Sequence, residues 1–189
     1  NASILLLGNL DPNLQIKVLN QMEKKPNFVV LDTMNFWIES YREKLNEVIA
    51  KVDLISINDE EARQITETQS LVKAAKKLMA MGPNYVIIKK GENGALLFDK
   101  DNIFCAPALP LEEVFDPTGA GDSFIGGFVG HLSQCGRISF EEMKAATIIG
   151  SAMASFTVQK FGTKSLEKLM IPSFKQRIVA FKSLTEFEI

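Results

Sequence analysis

Residues 115–128 have the sequence FDPTGAGDSFIGGF, which is the most informative stretch for the structure of the chain. Asp116 comes before a proline and therefore ends an extended segment, because a residue in that position avoids the α region. Gly119 and Gly121 allow unusual backbone angles and the close approach of another group. A pattern of apolar and small residues with helical spacing follows at once. The stretch predicts a glycine-rich turn that opens a helix.

Such a turn is suited to binding an anion. The first amides of a helix lack carbonyl partners, and the helix dipole is positive at that end. The amides of Gly119, Ala120 and Gly121 are therefore predicted to form an anion hole for a phosphate group. The pattern is not that of a P-loop, because no Gly-Lys-Ser/Thr sequence follows it.

Asp122 is an unexpected neighbour for an anion hole, because its carboxylate would repel a bound phosphate. One interpretation is an acidic residue in the first helical turn that favours the dipole. The other is a general base that takes the proton from a substrate hydroxyl as its oxygen attacks phosphorus. The local pattern leaves both interpretations open.

Outward from this stretch, the apolar periodicity alternates between that of strands and that of helices. The turn at Gly91–Gly94 separates two apolar runs and predicts a hairpin. We therefore predict an α/β fold with a doubly wound, mostly parallel sheet and an antiparallel edge hairpin. The predicted strands are 4–7, 28–31, 54–57, 85–89, 95–98 and 103–106, and the predicted helices are 11–23, 37–52, 59–66, 70–81, 121–134, 139–159 and 172–183.

Polar residues follow several of the predicted strands. Asp32, Asn58 and Lys89 stand at strand ends, and Lys90 and Gly91 come directly afterwards. Ligands of open α/β sheets bind beyond the C-terminal ends of the strands. The sequence therefore predicts one polar rim at which these side chains meet.

Composition and charge exclude some classes of function. The chain is 46% hydrophobic and 23% charged with a net charge of −2, which is typical of a globular protein and unlike a nucleic-acid binder. Its apolar runs are too short to span a membrane. Cys105 and Cys135 lack CxxC spacing, so we predict buried free thiols, without a disulfide or metal pair, in a reducing cytoplasm. His131, in the middle of a predicted helix, is expected to be packed or partly exposed.

The beginning of the chain suggests that an earlier part is missing. The sequence starts at Asn1 without a methionine and enters an apolar strand at Ile4. A natural start usually has a polar, frayed lead-in. We therefore expect a fragment or a processed chain.

Residues 116–124, DPTGAGDSF, resemble very closely the C-terminal signature of the ribokinase/PfkB carbohydrate kinase family. The resemblance extends from about residue 4 to residue 165. It implies that residues 1–189 are the C-terminal, ATP-binding and catalytic portion of a ribokinase-like domain, without the N-terminal strands and the lid. Three further segments resemble motifs of this family. NDEE at 58–61 resembles the family's N-x-x-E motif, KGENG at 90–94 resembles its G-x-x-G hairpin, and FGT at 161–163 resembles the loop after its late helix.

The resemblance implies a role for several of these residues. Asp122 would be the general base beside the anion hole. Asn58 and Glu61 would act, mostly through water, on Mg²⁺ and the phosphates of ATP, although a helix cap with its capping-box glutamate explains the same pair. Lys89 would either pair with the γ-phosphate or point into solvent. The remaining nucleotide-binding positions would be Gly91, Gly94 and Thr118.

Further implications are less closely tied to single motifs. Asp116 and Thr118, with backbone carbonyls near Phe156, Gln159 and Gly162, would bind a monovalent cation such as K⁺. The adenine of ATP would lie between residues 103–110 and the late helices. For two more sets of residues, ligand contact and a purely local structural role are both open interpretations. They are the segment 32–35, DTMN, which departs in spacing from a family segment, and the pair Asn9 and Asp11.

The implied activity is transfer of the γ-phosphate of ATP to a hydroxyl of a sugar or nucleoside. The implied partners are that small-molecule substrate and a second copy in the full-length protein, with neither nucleic acid nor membrane. A nucleotide-binding or regulatory module without full catalytic activity is the alternative. A Rossmann-type dehydrogenase is disfavoured, because no G-x-G-x-x-G follows the first strand.

Overall fold

A computed structural model describes residues 3–188, so the expectation drawn from Asn1 lies outside the described residues. Six strands form one sheet in the order of the chain. Neighbouring strands from β1 to β4 are parallel, and β4 to β6 are antiparallel. The predicted α/β fold with an antiparallel edge is confirmed. The strands are β1 (Ile4–Leu7), β2 (Phe28–Asp32), β3 (Leu54–Asn58), β4 (Tyr85–Lys89), β5 (Ala95–Phe98) and β6 (Ile103–Ala106).

Eight α-helices connect or follow these strands within the described residues. The parallel strands need crossover connections, and helices supply them. The helices are α1 (Pro12–Gln21), α2 (Asn35–Ser40), α3 (Arg42–Ile49), α4 (Asp59–Thr66), α5 (Leu71–Ala80), α6 (Ala120–Cys135), α7 (Phe140–Thr157) and α8 (Ile171–Ser183).

The described chain divides into two compact units. The first contains β1 through Lys89 together with Leu96–Phe104, and the second contains Lys90–Ala95 together with the chain from Cys105 onward. The first unit therefore holds most of the sheet, and the second holds the glycine-rich turn and the late helices.

The core of the first unit lies between alternate strand residues and the crossover helices. Val29 and Leu31 of β2 and Ile55 of β3 are almost fully buried, and they pack in one cluster with Leu45 of α3 and Leu78 of α5. The intervening strand residues are also buried. Burial on both faces explains why these strands read as continuous apolar runs and not as alternating ones.

The single helix predicted at 37–52 is wrong, because the chain forms two helices there. Tyr41 separates α2 from α3 with φ −134° and ψ 34°, outside the helical region. The apolar stripe continues across this break, since Ile38 and Leu45 are both buried. Periodicity alone therefore could not reveal the break, and no glycine or proline marks it.

The prediction of buried thiols is wrong for Cys105, which is exposed, and Cys135 is only half-buried. Cys105 lies on β6, the last strand in the sheet order, whose first and third residues face solvent. Both cysteines are free within the part of the chain that the structure describes. None of the helices in residues 3–188 is long and apolar enough to cross a membrane.

Helices α6 and α7 of the second unit approach each other closely at two glycines. A Cβ atom added to Gly150 would lie 2.6 Å from the carbonyl oxygen of Phe124, and one added to Gly127 would lie 2.8 Å from Met153 Cγ. Only glycine leaves room for this crossing. The crossing fixes the helix that begins at the glycine-rich turn against its neighbour.

Candidate active site

The ends of β2, β3 and β4 bring three polar side chains of the first unit together. Asp32 is in register with Ser56, and Asn58 is in register with Lys89. The Nζ atom of Lys89 lies 3.2 Å from Oδ1 of Asp32, with side-chain exposures of 17% and 6%. Lys89 therefore pairs with a buried carboxylate in this structure and does not extend into solvent.

Asn58 and Glu61 form a complete capping box at the start of α4. The amide of Glu61 donates to Asn58 Oδ1 and the amide of Asn58 donates to Glu61 Oε2, both at 2.8 Å. The capping box leaves Glu61 Oε1 outside these two bonds. Carboxylate oxygens suit Mg²⁺, which keeps much of its water shell, so the donor set fits a contact through water.

Burial raises the pKa of Glu61 above its ordinary value of 4.5, and the neighbouring Asp32 raises it further. The hydrogen bond from the amide of Asn58 and the charge of Lys89 oppose this effect. The carboxyl group thus holds its proton more tightly in the folded chain than in the unfolded chain.

This pKa shift predicts how Glu61→Gln changes the pH dependence of stability. The contribution of Glu61 is fully present below pH 4.5 and is lost as the pH rises through the raised pKa of the folded state. Glutamine has no proton to lose and can keep the capping bond. The variant should therefore gain stability relative to the wild type as the pH rises, measured by urea unfolding at several pH values. A difference in stability between the variant and the wild type that stays constant across the pH range would contradict the assignment.

The hairpin turn after β4 belongs to the second unit. Residues Gly91–Asn93 form a short 3-10 turn, closed by hydrogen bonds from the amide of Lys90 to the carbonyl of Gly94 at 2.7 Å and from the amide of Gly94 to the carbonyl of Gly91 at 3.1 Å. Both glycines have positive φ values, +55° for Gly91 and +79° for Gly94.

The two glycines differ in the space around them, which predicts different costs of substitution. A Cβ atom on Gly94 would lie 2.1 Å from the carbonyl oxygen of Ala106, whereas one on Gly91 would have nothing within 4 Å. Gly94→Ala should therefore lower the free energy of unfolding by about 3 kcal/mol or more, since backbone strain of about 1–3 kcal/mol adds to the clash. Gly91→Ala is the matched control and should lose only about 1 kcal/mol. Equal losses in urea unfolding would show that the clash relaxes without cost.

The glycine-rich turn opens α6 as predicted. Gly119 has φ +79° and lies directly before the first helical residue, Ala120. The amide of Ala120 donates to the carbonyl of Pro117 at 3.1 Å, so this donor is already used within the turn. The next two amides, of Gly121 and Asp122, precede the first intrahelical bond, which Ser123 makes to Gly119. The side chain of Asp122 is exposed in the first turn of the helix.

Asp116 is held in a local turn before the helix. Its Oδ1 atom accepts from the amide of Thr118 at 2.9 Å, and hydrogen bonds from the backbone and then the side chain of Thr118 lower the pKa of Asp116. The carbonyl of Val158 accepts from the amides of Phe115 and Asp116 at 2.8 and 3.2 Å. Hydrogen bonds to the end of α7 thus hold the backbone of Asp116, whose carboxylate is ionised, next to the turn.

A hydroxyl pair ties the first turn of α6 to the last turn of α7. Thr157 Oγ1 donates to Ser123 Oγ at 2.7 Å, and Thr157 is buried. Ser123 follows Asp122 directly. This bond therefore restrains the position of the turn from outside its own helix.

A cleft of about 330 Å³ lies within the second unit, between the segment after β6 and the late helices. The guanidinium of Arg177 lies 3.9 Å above the ring of Phe156 and donates to Ser155 Oγ and Gln159 Oε1 at 2.9 and 3.0 Å. The place agrees with the predicted adenine slot, although binding of adenine stays a prediction. The cleft is lined by Leu109, Leu111, Phe156, Ser173, Gln176, Arg177 and Ala180.

Other candidates have structural roles. Asp11 caps α1 by accepting from the amide of Asn13 at 2.7 Å, and Asn9 Oδ1 accepts from Trp37 Nε1 at 2.8 Å. Asn35 is the first residue of α2. The structure thus provides a local explanation for each of these residues.

Sequence reasoning left the role of Asp32 open and did not foresee its pairing with Lys89. The two residues are 57 positions apart. A signal was available, because β2 and β4 flank β3 and both residues end their strands. The structure therefore gathers Asp32, Asn58, Glu61 and Lys89 in the first unit, and Asp116, Thr118 and Gly119–Asp122 in the second.

Most of the chain matches the model of one protein family. Residues 3–169 match the model of the pfkB family carbohydrate kinases. The match includes the glycine-rich turn, the capping box and the hairpin.

Individual relatives agree with this match. The cytidine kinase of Thermococcus kodakarensis is 33% identical over 155 residues, which cover 76% of this chain and 55% of that protein. Arabidopsis thaliana ribokinase, solved with ribose and ATP, is 27% identical with a TM-score of 0.71 over 96% of this chain and 56% of the other. Fructokinase from Vibrio cholerae, 18% identical, shares the fold with a TM-score of 0.79 over 93% and 60% of the two chains. The chain thus spans about half the length of these relatives.

Proposed function

Since the chain belongs to the pfkB family of carbohydrate kinases, we propose that the whole protein transfers the γ-phosphate of ATP to a hydroxyl of a sugar or nucleoside. Asp122 takes the proton from that hydroxyl as its oxygen attacks phosphorus. The amides at the start of α6 stabilise the negative charge that develops on the transferred group.

The observation that carries this proposal is the position of Asp122. Its carboxylate is exposed in the first turn of α6, three residues after the left-handed Gly119 and beside amides that precede the first intrahelical bond. The proposed base and the proposed anion hole therefore both lie within residues 119–122. Because Ala120 already donates to Pro117, the amides of Gly119 and Gly121 are the better donors, with that of Asp122 as a third.

The polar cluster of the first unit supports a second part of the proposal. Glu61, through its oxygen outside the capping box, and Asn58 contact the hydrated Mg²⁺ of the nucleotide through water. Lys89, whose position is fixed by Asp32, would supply a positive charge for the phosphates. Charge-assisted contacts of this kind contribute about 1.5–3 kcal/mol each.

The turn that contains Asp116 supports a monovalent cation site as a further part. A lowered pKa keeps this carboxylate ionised, and its hydrogen bond with Thr118 fixes its orientation. A negative oxygen held in a fixed orientation suits the binding of a cation such as K⁺. Comparing turnover in K⁺ and in Na⁺ at equal ionic strength tests this part separately.

A panel assay tests the reaction class. Release of ADP from Mg-ATP is measured with the protein as its gene encodes it, using pentoses, hexoses, phosphorylated sugars and nucleosides as acceptors. We expect acceptor-dependent turnover with one of these classes. ATP binding in calorimetry without turnover for any acceptor would instead support the regulatory module, and binding of NAD in place of ATP would overturn both.

A further inference from the structure

Three side chains with metal-binding atoms meet where α6 ends and α7 begins. His131 and Cys135 are four residues apart on α6, and Glu142 lies in the first turn of α7. One ring nitrogen, the thiol sulfur and one carboxylate oxygen lie within 4.8 Å of one another. This cluster belongs to neither set of candidate active-site residues.

The histidine of this cluster has an unused ring nitrogen. His131 Nε2 is buried and makes no hydrogen bond within residues 3–188. It lies 3.5 Å from Glu142 Oε2, too far for a good hydrogen bond. Buried polar atoms are normally hydrogen-bonded, so a buried nitrogen that faces a carboxylate without a hydrogen bond is a candidate ligand for an ion that both groups contact.

The other interactions of the cluster are compatible with an ion. Arg137 pairs with Oε1 of Glu142, which leaves Oε2 towards the histidine. The thiol of Cys135 donates weakly to the carbonyl of Leu132 at 3.5 Å. The negative end of the α6 dipole favours a cation beside Cys135, whereas the positive end of the α7 dipole opposes one beside Glu142.

The donor set and its spacing suit zinc. Imidazole, thiolate and carboxylate are the ligands of zinc sites, with metal–ligand distances of about 2.0–2.3 Å, so ligand atoms in a tetrahedral site lie roughly 3.3–3.7 Å apart. The 3.5 Å between His131 Nε2 and Glu142 Oε2 falls in this range, and the sulfur of Cys135 lies within 4.8 Å of the ligand atoms of the other two residues. About a fifth of the side-chain surface of His131 and of Glu142 is exposed, which leaves access for an ion and one water.

We propose that His131, Cys135 and Glu142 bind one zinc-class divalent ion, with water as the fourth ligand, and so join the end of α6 to the start of α7. The thiol loses its proton to solvent when it coordinates, because the thiolate is the ligand. An ion bound to the folded state alone raises the thermal midpoint in proportion to the logarithm of its concentration.

The affinity for zinc tests the proposal, measured on the reduced protein by competition with a chromophoric chelator. Cys135→Ser and His131→Gln should each weaken binding by at least about tenfold, since even the loss of a group that only orients a ligand costs about 10–100-fold. Cys105→Ser is the matched control, because that cysteine is exposed on β6, and it should bind zinc like the wild type.

Cobalt binding gives a second, spectroscopic readout. Co²⁺ bound to the wild type should show a thiolate-to-cobalt charge-transfer band that Cys135→Ser lacks and Cys105→Ser keeps. Absence of this band in the wild type, or equal zinc affinity in the wild type and Cys135→Ser, would overturn the proposal. Helical circular dichroism of each variant shows that lost binding does not reflect lost folding.

Discussion

Asp122→Asn should lower kcat by about 10²–10⁴-fold, which is the usual cost of removing a well-placed general base. Asparagine keeps the size and the hydrogen-bonding shape of the side chain but accepts no proton at neutral pH. Binding of Mg-ATP should persist, because the amides of the turn are unchanged and one negative charge beside the phosphates is gone. Steady-state ADP release and calorimetry measure the two quantities on the protein as its gene encodes it.

A matched control separates catalysis from helix stability. Asp122 is an acid in the first turn of α6, and Glu141 is an exposed acid in the first turn of α7. Losing either charge removes a favourable interaction with a helix dipole, of about 0.3–1 kcal/mol. Glu141→Gln should show this loss of stability with unchanged turnover. If Asp122→Asn behaves in the same way, Asp122 is a helix acid and not the base.

Lys89→Met should lower the free energy of unfolding by about 3 kcal/mol, because it leaves the buried carboxylate of Asp32 without its cation. That carboxylate is 6% exposed and lies near Glu61, whose pKa is already raised. Methionine fills a similar volume, so the loss reflects charge more than packing. Urea unfolding near neutral pH measures it.

Two further variants show whether the ion pair is the cause. Adding Asp32→Asn to Lys89→Met removes the buried charge that has lost the compensating charge of Lys89 and should recover part of the lost stability. Lys76→Met, at an exposed position on α5, should change stability by less than about 0.5 kcal/mol. A double variant no more stable than Lys89→Met alone would contradict the proposed role of the charge.

The strands were predicted almost to the residue, because residues buried on both faces leave a continuous apolar run. Asp32 and Asn58 are the exceptions, since each extends its strand by pairing in register with a residue of a distant strand, Ser56 and Lys89 respectively. The break at Tyr41 was missed for a different reason. The apolar phase survives the change of backbone angle, so the helical pattern looks continuous.

The candidate site likewise contains local features that the sequence predicted and long-range contacts that it did not. The capping box of Asn58 and Glu61 and the turn at Gly119 are local, and short sequence patterns predicted both. The bond from Thr157 to Ser123 and the ion pair of Lys89 join residues 34 and 57 positions apart. Such contacts are set by helix packing and sheet register, which composition and periodicity do not specify.

Because the proposed phosphate-binding donors at the start of α6 are backbone amides, alanine scanning cannot reveal them. Ala120 is already alanine, and Gly121→Ala would retain its amide while favouring the helix by about 1 kcal/mol. The effect of Gly119→Ala would reflect the strain of placing a Cβ atom on a residue with φ +79°, and not the loss of a hydrogen-bond donor. A chemically synthesised or semisynthetic chain with an ester in place of the Gly121 amide removes the donor alone, and weaker nucleotide binding there would identify a contribution invisible to side-chain mutagenesis.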